Sequence, residues 1–216
     1  MLLCLTSPQI VQAQLPEGPW KVTKVENGIT VKRLERVDNP LPLFLAYGVI
    51  KADLYDILAV FDDVAQHTVW VHGCVEAREL RKDSLYDRMV YYRTALPWPF
   101  KDRDAVVRVR ATLDRDAQTA RIQYQPPRNF AYSKNADYVR MPQLQGHYEL
   151  RQVADNETQV TYFVDVHPGG WIPDWLVKIA SRELPYRTLL GLRKQTKMAR
   201  EENRYPDFRQ FIDQVR

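Results

Sequence analysis

Gly169-Gly170-Trp171-Ile172-Pro173-Asp174-Trp175 is the stretch whose reading decides the fold. A strand-like run, Gln159 to His167, stops at Pro168 just before it. Two adjacent glycines free the backbone for a sharp turn, and Pro173 sits where a first helical turn tolerates proline. Trp175, Leu176, Ile179, Ala180 and Leu184 then recur at helical spacing. The segment predicts a strand handing over to a long helix that lies back on a sheet. Leu189, Leu190, Leu192 and Met198 continue the apolar side of that helix, Pro185 predicts a kink in it, and Tyr205 to Val215 read as a short terminal helix.

Upstream, the period is that of strands. Trp20 to Val25 and Ile29 to Val37 flank Glu26-Asn27-Gly28, and Asn-Gly is the preferred pair for a tight hairpin turn. Phe44 to Ala52 reads as a third strand. After Asp53, a predicted N-cap, Leu54, Ile57, Leu58, Phe61, Val64 and Ala65 predict one amphipathic helix, with Trp70 packed near its end. From Cys74 to His167 the strand period returns. Ala105, Val107, Val109, Ala111 and Leu113 alternate with Arg108, Arg110 and Thr112, which gives a strand with one dry and one wet face. Ala120, Ile122 and Tyr124 repeat the pattern, as do Val160, Tyr162, Val164 and Val166. The short turns at Asp114-Arg115-Asp116 and Asp155-Asn156-Glu157 predict antiparallel hairpins. Three strands, a helix, about six strands and a long helix make an α+β chain whose curved antiparallel sheet needs an apolar cover.

The 216 residues, 45% hydrophobic and 11% aromatic, suffice for one large core. The net charge of +4 is mild, and its cations are interleaved with acids except in Arg193 to Arg204, so a nucleic-acid footprint is not expected. Weak attraction to anionic membranes is compatible with it. Two cysteines, Cys4 and Cys74, form no disulfide framework. Leu2, Leu3, Leu5, Ile10 and Val11 lead into Val11-Gln12-Ala13, which resembles a signal-peptidase site cleaved before Gln14. Residues 1–14 therefore read as the tail of a signal peptide and predict a periplasmic or secreted protein, with a cytoplasmic one as the alternative.

Catalytic constellations are sparse. His67, His72, His147 and His167 lack metal-ligand spacing, and Ser7, Ser84, Ser133 and Ser181 lack a nucleophile elbow. Gly169-Gly170 is no phosphate loop, and Asp102-Arg103-Asp104 reads as a charged strand opening with local ion pairs. No cofactor and no metal are expected. The excess of apolar groups over catalytic ones leaves either a solid core or a cavity for an apolar ligand.

Four groups of residues sharpen this. Phe61-Asp62-Asp63 with Trp70 is one; Leu96-Pro97-Trp98-Pro99-Phe100 with Arg103-Asp104 is the second. Tyr138-Val139-Arg140 with Gly146-His147-Tyr148, and Gly170-Trp171-Ile172-Pro173 with Trp175-Leu176-Val177, are the third and fourth. In this order they resemble the START (StAR-related lipid-transfer) family from Trp20 to about Lys197. The resemblance implies a helix-grip fold: a curved antiparallel sheet gripping a C-terminal helix around an apolar tunnel. It also implies carriage of a single lipid rather than catalysis, with exchange through the helix and the loops from Gln125 to Pro142 and Pro168 to Pro173. Cholesterol-binding members bury an acid and an arginine, and those places fall on Val90 and Val109 here; a position that is usually aromatic is Ala105.

The expectation is a monomeric domain over residues 15–200, with 201–216 as a C-terminal extension. Its tunnel is expected to be lined by Val90, Val107, Val109, Ala111, Ile122, Tyr124, Tyr162 and Val164 from strands, and by Trp171, Trp175 and Ile179 from the hinge and helix. The ligand classes are acyl lipid, sterol-like or polycyclic hydrocarbon, with Tyr124 or Tyr162 as hydrogen-bond donor to a head group. An enzyme of cyclase or hydrolase type and a ligand-free interaction module are the competing readings.

Overall fold

The computed structural model describes residues 15–37, 39 and 41–214. The signal-peptide-like stretch Met1 to Gln14 lies outside the described residues. Strands β1 (Lys21–Glu26), β2 (Ile29–Leu34) and β3 (Leu43–Ile50) are followed by α1 (Leu54–Asp62), a 3-10 turn (Val64–Gln66) and α2 (His67–Trp70). Then come β4 (Cys74–Ser84), β5 (Asp87–Thr94), β6 (Arg103–Asp114), β7 (Thr119–Gln125), β8 (Val139–Arg140), β9 (Gln143–Ala154) and β10 (Glu157–His167). Helices α3 (Asp174–Glu201) and α4 (Phe208–Gln214) close the chain.

Among the described residues, nine strands form one antiparallel sheet in the order β1-β2-β3-β10-β9-β7-β6-β5-β4, and β8 adds to the start of β6 in parallel. Register puts Val90 opposite Val107, Val109 opposite Tyr124, and Tyr162 between Tyr148 and Ala46. The predicted hairpin turn is present, with Asn27 and Gly28 both at positive φ (50° and 67°). This is the helix-grip architecture that the sequence implied.

Helix α1 starts at the predicted cap. The Asp53 carboxylate accepts the Tyr55 amide at 2.9 Å, and Asp56 accepts the Asp53 amide at 3.3 Å, a reciprocal capping box. The helix stops at Asp62 rather than running to Ala65; the 3-10 turn and α2 carry the chain on to Trp70. Pro185 does not interrupt α3, which is continuous through it.

The solid core lies at one side. Ile29, Phe44, Ile50, Leu54, Ile57 and Leu150 are fully buried, together with Leu189 and Leu192 from the second half of α3. There the helix touches α2 so closely that a Cβ on Gly191 would lie 2.4 Å from the Trp70 carbonyl oxygen. The first half of α3, with Leu176, Val177, Ala180 and Leu184, lies instead over β4–β7, where the sheet and helix do not meet.

Glycine to alanine inside a helix ordinarily gains about 1 kcal/mol. Gly191→Ala reverses that sign, because backbone must move to admit the methyl group. It is expected to cost about 2 kcal/mol and to lower Tm by about 4–8 °C; calorimetry that finds Tm raised refutes the close-approach account.

Candidate functional site

Between the first half of α3 and strands β4–β7, β9 and β10 lies a cavity of ≈230 Å³, counted at the centres of water-sized molecules. At the roughly 30 Å³ that each water takes up in the liquid, the space corresponds to about eight of them. Packed interiors hold few voids larger than one. The walls are mostly hydrocarbon, from Leu58 and Phe61 on α1, through Val109 and Ala111 on β6, to Leu176, Val177 and Leu184 on α3. Phe208 and Ile212 of α4 also reach it, so the C-terminal extension completes the wall.

Of the residues expected at the wall, Val90, Val109, Ala111, Ile122, Tyr124, Tyr162 and Val164 line the cavity. Val107 does not: it is buried beside Val64 and Val90 in a small separate cluster. Trp171, Trp175 and Ile179 are also placed elsewhere, being 74%, 49% and 51% exposed. The correction is one of helical phase. Ile172, Leu176, Val177 and Ala180 face inward, and the stripe drawn through Trp175 and Ile179 lies on the outer side.

Polar groups at the wall are few and mostly satisfied from within. The His67 Nε2 lies 3.1 Å from the Phe61 carbonyl oxygen and its Nδ1 lies 2.7 Å from the Tyr92 hydroxyl. A carbonyl only accepts, so Nε2 carries the proton and Tyr92 donates to Nδ1. Burial lowers the His67 pKa to about 4, so the imidazole is neutral at pH 7. Tyr148 stacks on Tyr162 with centroids 4.3 Å apart. Burial raises the pKa values of Tyr124, Tyr148 and Tyr162, and the Tyr124 hydroxyl donates to the Phe163 carbonyl oxygen at 3.5 Å.

Charged groups reach the cavity too, which the pattern of the dry strand did not disclose. Asp62 ends α1 and Arg88 lies on β5; Arg88 forms an ion pair with Asp62 and a second with Glu79 at 3.1 Å. Arg103 opens β6 and also lines the cavity. The expected local pairing of Asp102-Arg103-Asp104 is replaced by longer-range partners: Asp102 holds Arg93 at 2.7 Å and Asp104 holds Arg140 at 2.8 Å. Arg103 donates instead to the carbonyl oxygens of Pro168 (3.2 Å), Gly169 (3.2 Å) and Lys101 (2.6 Å). It thereby holds the turn in which Gly169 and Gly170 take φ of +69° and +62°.

A curved antiparallel sheet closed by a C-terminal helix over an apolar cavity defines a helix-grip cavity protein. Residues 50–193 match the family described as polyketide cyclase / dehydrase and lipid transport, and the chain belongs to it, within its START branch. An uncharacterized protein of Pseudomonas aeruginosa is 32% identical over 174 residues, 81% of this chain and 85% of that one. The bovine phosphatidylcholine transfer protein is 25% identical over 177 residues, 81% of this chain and 82% of the relative. The crystal structure of a STAR-related lipid transfer protein from Xanthomonas axonopodis superposes with a TM-score of 0.73 at 25% identity, covering 82% of this chain and 98% of that one.

His67 ties the site to pH. The unfolded chain takes up a proton near pH 6.5 and the folded one only near 4, so the unfolded state holds more protons between these values. Stability is full above pH 6.5 and falls as pH drops toward 4, by about 2 kcal/mol from this group between pH 7 and 5. Glutamine can copy both hydrogen bonds without titrating. His67→Gln is therefore expected to flatten the fall of Tm with acid, the remaining slope belonging to His72 and His147, whose pKa values burial also lowers, that of His147 to about 4. Equal slopes in both proteins would sink the assignment.

Proposed function

We propose that the protein binds one chain-bearing lipid in this cavity and carries it without chemical change. The observation that carries the reading is the size of the cavity together with its hydrocarbon walls. Removing apolar ligand surface from water is worth about 25 cal/mol per Å², and a preformed cavity collects that without displacing side chains. The names of the relatives support lipid transfer. Catalysis is disfavoured by the state of the titratable groups: His67 is held neutral and engaged at both nitrogens, and the tyrosines are pushed toward the neutral form. Val90 and Val109 line the cavity with no charge between them, which supports an acyl chain over a sterol held by a buried ion pair there.

The cavity is the point to test. In a solid interior, Ala111→Trp would overpack by about 1–3 kcal/mol. Here the indole should occupy the space meant for ligand, leaving Tm within about 2–4 °C while binding of a fluorescent fatty-acid probe falls at least about tenfold. Native mass spectrometry of the unmutated protein should show a co-purified lipid. Collapse of the fold with no probe binding by either protein would favour the packed module.

Loading from a membrane gives the outward tryptophans a role. Phe100 lies 6.0 Å from Trp171 and 6.3 Å from Trp175, joining the loop before β6 to the start of α3. Trp98, 92% exposed, extends this patch beside the exposed Lys101, and Lys178 follows on the helix. Indoles flanked by lysines suit an anionic bilayer interface. Replacing Trp98 and Trp171 together by Ser should slow lipid transfer between anionic vesicles at least about fivefold with probe affinity in solution unchanged; unaltered transfer would refute the docking role.

A further inference from the structure

We propose that Arg103 is the anion-recognition residue of the cavity, and that the preferred ligand is an apolar chain ending in a carboxylate or phosphate. This rests on the lipid-binding reading above. Among the described residues, three charged ones line the cavity: Asp62, Arg88 and Arg103. Arg88 is neutralised by Asp62 and Glu79. Arg103, only 4% exposed, has no ion pair among the described residues. The acids beside it are taken, Asp102 by Arg93 and Asp104 by Arg140. A buried cation with no counter-ion is costly, and the feature is explained if the ligand supplies the missing charge.

The guanidinium is presented for this. It has five N–H groups, and its three bonds engage Nε and one hydrogen on each Nη. One N–H on each Nη is left for a ligand, and such a pair suits two oxygens of a carboxylate or phosphate. The Pro168 and Gly169 carbonyls fix the group in place, and Gly170 adds no bulk over it: a Cβ there would lie 3.8 Å from Nη2. Desolvation by burial lowers the Arg103 pKa, in keeping with a cation short of negative charge. A second wall residue points the same way. Trp70 lines the cavity, and its buried Nε1–H has no partner among the described residues. Both of these wall groups, the Arg103 guanidinium and the Trp70 indole, are donors, so a ligand that meets them brings acceptors.

Binding of cis-parinaric acid and of its methyl ester to the purified full chain at pH 7.5 tests this directly. The acid should bind about tenfold or more tightly than the ester, and Arg103→Gln should lose most of that preference while keeping ester affinity. Equal binding of acid and ester by the unmutated protein overturns the anion assignment and leaves lipid binding standing; binding of neither overturns both. A preference retained in Arg103→Gln also overturns it. Should that variant fail to fold, carboxyl-¹³C oleate on the unmutated protein decides. A bound carboxyl still ionised at pH 5 supports the pairing, whereas one that protonates above pH 5 behaves as a carboxyl buried without a cation and overturns it. Competition by lysophosphatidic acid against monoolein tells the two anions apart: displacement of the probe by the phosphate lipid alone places phosphate at Arg103 as well, and displacement by both alike overturns the charge requirement.

Discussion

One helix has to cover one curved sheet, and the remaining features depend on how incompletely it does so. The inner face of β2, β3 and β10 is matched by the second half of α3, where Leu189 and Leu192 are fully buried and Gly191 lets the helix reach the Trp70 backbone. That contact anchors the helix. Its first half is carried over β4–β7 at a distance that its side chains do not span, and the unfilled space is the cavity. A structure this tight at one end and open at the other keeps a cavity without losing the core that pays for it.

The polar arrangement follows the same division. Deep in the wall, His67 is engaged at both nitrogens by Tyr92 and the Phe61 carbonyl, and Tyr148 stacks on Tyr162, so these groups hold their shape. At the turn into α3, Arg103 bonds among the described residues to main-chain carbonyls only, which fixes the turn and gives it no ion-pair partner there. The chemistry that a ligand meets is thus hydrocarbon along the cavity and a cation under the hinge. Family membership fits carriage of a lipid, and the outward aromatic patch at the same end fits collection from a surface.

The sequence by itself determined the elements. Alternation in β6, β7 and β10 sets which residues share a face, since the side-chain period of a strand is two and register cannot slip without exposing the core. Asp53, Asn27-Gly28 and Gly169-Gly170 marked their cap and turns because each needs a local geometry that few residues supply. For that reason seven of the eight strand residues expected at the cavity are found there. Only the tertiary structure decided the rest. Whether Trp175 or Leu176 faces inward depends on the rotation of α3 about its axis, which the Gly191 contact fixes and which a broad apolar stripe does not encode. Val107 packs with Val64 and Val90 in a small cluster instead of reaching the cavity, a contact set by tertiary packing and not by strand alternation. Arg88, Asp62 and Arg103 meet the cavity from three different elements, and no spacing along the chain announces a partner that pairing, rather than neighbourhood, brings within reach.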